Sequence, residues 1–270
     1  MRSVEGTLFD FRQLERLAEG SSPLHRLDAR AKIVVTLLFI VCVVSLGRYE
    51  VAALFPFCIF PALMIAAAGL PPAQLIPRIL LVLPVVLVVG IFNPLLDRQI
   101  LATVGPLAVS GGWLSFVSLV LRSLLTVAAA LILVSLTGFP ALCRGLVQLG
   151  MPRLFAAQLL FLYRYLFVLA DEGLRLRRAR DQRSFGSRGR GIASFGPLVG
   201  HLLLRSWERA ERVYRAMAAR GFTGEFPVAT PSRCTRTDLL FLGGWSLVLL
   251  TIRFGEPARL LGELLVGGGP

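Results

Sequence analysis

Arginine is the residue type in this chain best suited to binding chemistry, and it is concentrated in one stretch. Between Asp171 and Asp238 there are fourteen arginines and seven acidic residues, so this stretch has a net charge of +7. The whole chain of 270 residues has a formal net charge of +13, with Lys32 as its only lysine. A guanidinium group presents a planar fork of N–H donors that matches carboxylates and phosphates. A biased genomic base composition also favours arginine over lysine, so composition alone does not assign the stretch a role.

Three kinds of ligand compete for the arginine-rich stretch. Membrane lipids are the simplest, because a basic amphipathic helix binds anionic headgroups of the inner leaflet without any other partner. Nucleic acid is not expected, because the arginines alternate with glutamates and no known reader motif is present. An acidic protein surface is the third, since arginine pairs bidentately with carboxylates in a groove.

Catalytic chemistry finds little support in the sequence. The chain has no glycine-rich phosphate loop ending in Lys-Ser or Lys-Thr, so it is not expected to hydrolyse ATP itself. His25 and His201 are its only histidines, and no cysteine or carboxylate stands at metal-ligand spacing from them. Although His25 and Asp28 could form an acid/base couple, we interpret them as capping or anchoring the helix that follows. We therefore predict a non-catalytic chain with no metal site and no cofactor.

The cysteines point to packing rather than to chemistry. The four cysteines, Cys42, Cys58, Cys143 and Cys234, form no CxxC pair, and three of the four sit in apolar or amphipathic runs, so we predict core packing. A cleavable signal peptide is not predicted either, because the first thirty residues alternate acids and arginines before the first apolar run.

The rest of the chain is apolar enough to be solvated by lipid. Hydrophobic residues make up 55% of the sequence and charged residues 17%, with a mean hydropathy of +0.71. A spanning helix needs about 20 mostly apolar residues. Five runs approach or meet this length: Ala31–Leu46, Val51–Leu70, Leu75–Phe92 with a kink expected at Pro84, Leu114–Leu136, and Thr237–Phe254.

Charges within these runs are few. Lys32 and Arg30 are expected to snorkel from the cytosolic end of the first run. Arg122 lies nine residues inside the fourth run, where it either has a function, packs toward other helices or snorkels to the outer interface. Apart from these residues and Arg78 near one end of the third run, the first four runs contain no charged side chain for an ion-coupled relay. This counts against a secondary transporter.

The orientation follows from the positive-inside rule. With a cytosolic amino terminus, four spans return the chain to the cytosol near Pro140. A full crossing by the apolar run Leu154–Ala170 would place the arginines outside, so we interpret this run as an interfacial or partly inserted helix. The carboxyl-terminal tail then lies outside.

Two helices are predicted in the arginine-rich region, one continuing to about Arg183 and one over about Pro197–Arg220, joined by a glycine-rich connector over Gly186–Gly200. An apolar stripe of spacing 4, 3, 4 and 3 runs along the second helix and consists of Leu203, Trp207, Ala210, Tyr214 and Met217. Two i,i+4 pairs, Glu208–Arg212 and Glu211–Arg215, favour helix formation. Gly221 is placed as the C-terminal capping glycine.

Segments over most of the chain resemble the transmembrane T component of energy-coupling factor transporters, the EcfT/CbiQ family, and its cobalt-uptake branch in particular. The more specific segments are QLLFLYRYLFVLADEGLRLRRAR, residues 158–180, and LLLRSWERAERVYRAMAARGF, residues 202–222. HRLDARAK, residues 25–32, and TGFPALCRGLVQLGMPRLF, residues 137–155, support them.

The resemblance implies a scaffold that binds a small substrate-binding membrane subunit and two cytosolic ABC ATPase subunits. It also implies coupling helices that each end in an Ala-Arg-Gly-like signature, whose arginine docks in a groove of an ATPase. The second signature is intact as Ala219-Arg220-Gly221. The first reads Ala179-Arg180-Asp181 and lacks the glycine at its third position, so the resemblance does not determine how that helix ends.

We therefore predict an all-helical, polytopic membrane protein with about five spans and cytosolic amphipathic coupling helices. Its expected function is to transmit ATP-driven motion of partner ATPases to the substrate-binding subunit. The expected substrate is cobalt or nickel, and a vitamin is a further alternative. An intramembrane enzyme acting on phosphorylated lipid headgroups is the alternative, and a simple membrane anchor is a third. The predicted division is 1–30 cytosolic, 31–139 spans one to four, 140–238 coupling region, and 239–270 last span and tail.

Overall fold

The computed structural model describes residues 17, 18, 20, 22–96, 100–104, 107–183, 195–222 and 234–255. The chain divides into two compact units. The apolar unit lies within residues 14–145 and 232–270, and the arginine-rich unit lies within residues 146–231. The predicted helical membrane architecture is confirmed, apart from one short β-hairpin among the described residues.

Helices dominate both units. The helices are α1 (Ala29–Val44), α2 (Ile59–Ala68), α3 (Pro72–Leu80), α4 (Leu83–Gly90), α5 (Phe92–Leu96), α6 (Gly111–Thr137), α7 (Phe139–Gln148), α8 (Arg153–Arg183), α9 (Phe195–Ala219) and α10 (Arg236–Phe254). Two short 3-10 turns, Ala52–Leu54 and Pro56–Cys58, precede α2. An antiparallel hairpin of β1 (Ile100–Val104) and β2 (Leu107–Ser110), which was not predicted from the sequence, leads directly into α6.

Several segments have the length and composition of membrane spans. Among the described residues, four segments are long and apolar enough to cross a bilayer: Pro72–Pro94, Gly111–Thr137, Arg153–Gln182 and Arg236–Phe254. Ala52–Ala68 is a shorter apolar stretch. Three of the four correspond to the third, fourth and fifth predicted spans. The remaining segment, Arg153–Gln182, contains the run Leu154–Ala170. The interfacial depth that we assigned to this run stays a prediction.

Proline residues divide two of the predicted spans. The second begins as 3-10 turns around Pro56 before α2 starts, and the third is broken between Leu80 and Leu83. Pro84 lies in the first turn of α4, where its missing N–H would have no helical partner, so the chain breaks just before it. The expected kink at Pro84 is therefore a short interruption on its amino-terminal side.

The core of the apolar unit is built around α1. Phe39 of α1 is fully buried and stacks on Phe60 of α2 with ring centroids 4.5 Å apart, and Phe60 meets Trp245 of α10 edge-on at 4.8 Å. Outward-facing positions are equally apolar: Leu240 and Leu247 of α10 are 75% and 67% exposed. Large apolar side chains on the outside of a well-packed helical unit suit a lipid environment.

Gly145 lets α7 lie close against the first turns of α1. A Cβ atom at position 145 would lie 2.9 Å from the Cβ of Ala29 and 2.9 Å from the Cδ1 of Ile33. Alanine normally stabilises a helix relative to glycine by up to about 1 kcal/mol. We expect Gly145→Ala to destabilise instead, by about 1–3 kcal/mol, because the added methyl overpacks this contact.

Thermal unfolding of the detergent-solubilised chain measures this effect. Gly243→Ala is the matched control, because nothing lies within 4 Å of a Cβ at that position of α10. The midpoint should fall for Gly145→Ala and stay or rise for Gly243→Ala. An unchanged midpoint at 145 would contradict the close packing of α7 on α1.

Candidate functional site

The arginine-rich unit is a pair of helices joined by ionic contacts. Arg205 of α9 donates to the Glu172 carboxylate of α8 at 2.6 Å, and Arg175 pairs with the same carboxylate at 3.1 Å. Glu172 follows the apolar run Leu154–Ala170, in the polar part of α8. The Glu172 carboxylate is therefore shared by two guanidinium groups, one from its own helix and one from α9.

The interior of α9 follows the sequence-based prediction. The i,i+4 pairs are confirmed: Arg212 pairs with Glu208 at 3.7 Å, and Arg215 pairs with Glu211. The helix begins earlier than predicted, at Phe195, so residues 195–200 of the predicted connector are helical. A proline near the start of a helix forfeits few hydrogen bonds, which lets the helix extend past Pro197. Residues 186–194 of that connector lie outside the described part of the chain.

The carboxyl-terminal end of α9 is a glycine cap. Gly221 has φ +76°, a left-handed conformation that favours glycine, which confirms the predicted cap. Its N–H donates to the Ala218 carbonyl at 3.0 Å, and the N–H of Phe222 donates to the Met217 carbonyl at 3.0 Å. This is the Schellman pattern that ends a helix sharply. Arg220 therefore stands at an abrupt helix end with its side chain exposed.

The first signature differs in both its helix and its arginine. Because Asp181 replaces the glycine, α8 does not end at the signature and continues to Arg183. The Arg180 side chain is only 21% exposed and donates to the Asp181 carboxylate at 3.2 Å. Arg177 approaches the same carboxylate at 3.9 Å. The two signature arginines are thus not equivalent in this structure, and their role in coupling stays a prediction.

An apolar groove of about 520 Å³ runs between α8 and α9. All five residues of the predicted stripe lie along it: Leu203, Trp207, Ala210, Tyr214 and Met217. The facing wall belongs to α8 and includes Gln158, Phe161, Leu162, Tyr165 and Leu169. Trp207 and Tyr214 are 73% and 69% exposed, so packing between the two helices does not bury these side chains of the stripe. Within the described residues, the groove is an apolar surface suited to a partner, and that partner is not shown.

The apolar unit contains a buried polar cluster that was not predicted from the sequence. Lys32 was expected to snorkel, but it is 3% exposed and its ammonium donates to the carbonyls of His25 and Leu136, each at 3.2 Å. Snorkelling is unnecessary because the cluster itself supplies acceptors and the charges of two buried carboxylates, Asp238 and Asp28. Asp28 also caps α1 by accepting from the backbone N–H of Arg30 at 3.0 Å, which confirms the capping interpretation.

Asp238 is the residue of this cluster that local reasoning could have found. Its carboxylate accepts from the backbone N–H of Thr235 at 2.7 Å and from the backbone N–H of Asp28 at 2.8 Å. Thr235 and Asp238 form a capping box at the start of α10, whose Thr-x-x-Asp spacing is visible in the sequence. The contact with Asp28 joins residues that are 210 positions apart.

Two arginines serve the other end of α1. Arg122 of α6 donates to the carbonyls of Val44 and Gly47, and Arg253 of α10 donates to the hydroxyl and carbonyl of Ser45, each at 3.0 Å. Among the interpretations of Arg122, the structure supports packing toward other helices. Guanidinium groups at a helix C-terminus satisfy exposed carbonyls and interact favourably with the helix dipole.

The remaining candidates for chemistry have structural roles. His25 contacts the Ser22 hydroxyl at 2.6 Å and the Leu17 carbonyl at 2.9 Å, which anchors the segment before α1. Cys42 and Cys143 are buried as predicted, Cys58 is partly buried, and Cys234 is exposed. Among the residues that the structure describes, no three His, Cys, Asp or Glu side chains are placed to hold a metal ion.

These observations define a multi-pass helical membrane protein that carries a separate unit of two paired, arginine-rich helices. The sequence profile of the CbiQ family, described as cobalt transport protein, matches residues 20–231, and the chain belongs to this family.

Curated relatives agree with this assignment. The chain is 29% identical over 218 residues to the energy-coupling factor transporter transmembrane protein EcfT of Heliobacterium modesticaldum, covering 75% of this chain and 81% of that protein. It is 34% identical over 106 residues to the cobalt transport protein CbiQ of Salmonella typhimurium, covering 39% of this chain and 47% of that protein. A Methanocorpusculum labreanum protein described as a fused cobalt transport protein CbiMQ is 27% identical over 233 residues, covering 81% of this chain and 38% of its own length.

Proposed function

We propose that this chain is the transmembrane coupling subunit of an energy-coupling factor importer for cobalt or nickel. The observation that carries the proposal is the paired-helix unit, with an apolar groove on one side and an exposed arginine at the sharply capped end of α9. In this proposal the chain spans the inner membrane several times, with its amino terminus and arginine-rich unit in the cytoplasm. It neither hydrolyses ATP nor binds the metal.

The proposal assigns a different partner to each feature of the arginine-rich unit. Arg220 and Arg180, with the neighbouring signature residues Ala179, Ala219 and Gly221, contact two cytosolic ABC ATPase subunits. Carboxylate-lined grooves suit guanidinium groups because the pairing is bidentate. The apolar groove of α8 and α9 receives the small substrate-binding membrane subunit, and the fused CbiMQ relative is consistent with such a neighbour.

Co-purification tests the proposal directly. The tagged chain is solubilised from its native membrane, and every retained protein is identified by mass spectrometry. We expect ABC ATPase subunits and one small membrane protein, and ATP-dependent uptake of radioactive cobalt or nickel after reconstitution in vesicles. A wild-type chain that is recovered alone and stable would contradict the proposal. Headgroup hydrolysis or transfer by the purified chain alone would support the lipid-enzyme alternative.

The ion pair of Arg180 and Asp181 leads to a separate prediction. If Arg180 docks in an ATPase, the Asp181 carboxylate competes with the ATPase for its guanidinium group. Asp181→Asn should therefore strengthen ATPase binding modestly, by a few-fold, since exposed ion pairs contribute about 0.2–1 kcal/mol. The dissociation constant of the detergent-solubilised complex measures this effect. Glu208→Gln, which removes the partner of Arg212, is the control and should leave the constant unchanged. Weaker ATPase binding by Asp181→Asn would contradict the competition.

A further inference from the structure

The buried cluster around Lys32 lies where the chain leaves and re-enters the apolar unit. The apolar unit ends at Gly145, within the helix α7 that follows α6, and it resumes at residue 232, shortly before the capping box Thr235–Asp238 at the start of α10. Lys32 donates to the carbonyl of Leu136 in the last turn of α6. Asp238, at the start of α10, accepts from the backbone N–H of Asp28, the residue that caps α1.

The same turns of α1 also hold the departing helix α7. Gly145 packs so closely on Ala29 and Ile33 that no Cβ fits between the two helices. Within the described residues, the apolar-unit ends of both connections to the arginine-rich unit are therefore anchored at the start of α1, one through Lys32 and Gly145 and one through Asp238.

The chemistry of the cluster makes this anchor rigid. Lys32, Asp28 and Asp238 are 3%, 7% and 4% exposed, so the ammonium and both carboxylates are removed from solvent. A buried charge is tolerated only with its partners in place, and a hydrogen-bonded network of this kind specifies one arrangement of the elements that it joins. A shift of α6 or α10 against α1 would break the buried hydrogen bond from Lys32 to Leu136 or the one from Asp28 to Asp238.

We propose that Lys32, Asp28 and Asp238 form a clasp that fixes both connections, so that motion of the arginine-rich unit is transmitted to the membrane helices instead of being absorbed at the joints. This inference rests on the proposed coupling function. The three residues are positioning residues: they act through the backbone of α6 and α10 and contact no cargo.

Two variants weaken the clasp in different ways. Lys32→Met removes the ammonium and keeps the length of the side chain, and Asp238→Asn removes one carboxylate charge while keeping its shape. Arg253→Gln is the matched control, because Arg253 also joins α10 to α1 but does so at the far end of both helices, on Ser45. If Lys32→Met fails to fold, Asp238→Asn carries the test.

The first measurement uses the full chain alone. Hydrogen exchange of backbone amides in residues 134–148 and 234–240 should accelerate in the clasp variants and stay at the wild-type rate in Arg253→Gln. Unchanged exchange in the clasp variants would overturn the anchoring.

The second measurement uses the reconstituted complex with its ATPases and membrane partner. The clasp variants should retain the partners and hydrolyse ATP, while metal uptake per ATP falls by about tenfold, within the usual range for mutations that alter coupling between sites. Uptake per ATP equal to that of Arg253→Gln would overturn the clasp as a coupling element. A wild-type complex without ATP-dependent uptake would instead contradict the proposed function, and the exchange measurement would still decide whether the clasp anchors the two connections.

Discussion

Replacing Arg180 and Arg220 together by alanine is expected to abolish retention of the ATPase subunits. Arginines that anchor an interface commonly contribute about 2 kcal/mol or more each, so losing both should weaken the complex by about 1,000-fold. Arg220 should account for the larger share, because it is exposed at a capped helix end whereas Arg180 already pairs with Asp181. The measurement is the amount of ATPase that co-purifies with the tagged chain.

A matched double variant separates docking from simple loss of charge. Arg175→Ala with Arg212→Ala removes one arginine from each of the same two helices, and both side chains are 68% exposed. This control should retain the ATPases, because neither arginine stands in a signature. If both double variants lose the ATPases equally, the basic charge as a whole attracts the partner, and the two signatures have no special role.

Replacing Trp207 and Tyr214 together by alanine is expected to release the membrane partner while the ATPases stay bound. These two side chains are the most exposed aromatic residues along the groove of α8 and α9. Aromatic anchors in an apolar groove commonly contribute about 2 kcal/mol or more on truncation, so the double variant should lose nearly all of the partner. Because both side chains are largely exposed, the stability of the isolated chain should change little.

The control for this variant is taken from the same helix. Leu204 and Val199 are 62% and 49% exposed and lie outside the groove. Leu204→Ala with Val199→Ala removes apolar surface of α9 without touching the groove lining and should retain the partner. Retention of the partner by the Trp207 and Tyr214 variant would show that the groove is not the docking surface, and a different apolar face would then have to serve.

The local features of this protein could be predicted from its sequence. The long apolar run of α6, the stripe along α9 and the i,i+4 pair of Glu208 and Arg212 depend on the helical period and on neighbours within one turn. Gly221 could be placed as a cap for the same reason, because a left-handed residue at a helix end is a local requirement. The resemblance to the family also came from contiguous segments.

The tertiary structure decided what depends on residues far apart in the chain. Lys32 is buried beside a carbonyl that Leu136 supplies from 104 positions away. Asp238, in the same cluster, contacts Asp28 from 210 positions away. Arg122 donates hydrogen bonds to carbonyls at the end of α1, 78 and 75 positions away, and no local sequence pattern indicates these contacts. Sequence determined which segments are helical and which faces are apolar or basic, because these depend on near neighbours. Which charges are buried, paired or left exposed was decided by folding, because a buried charge is stable only beside partners that the fold brings to it.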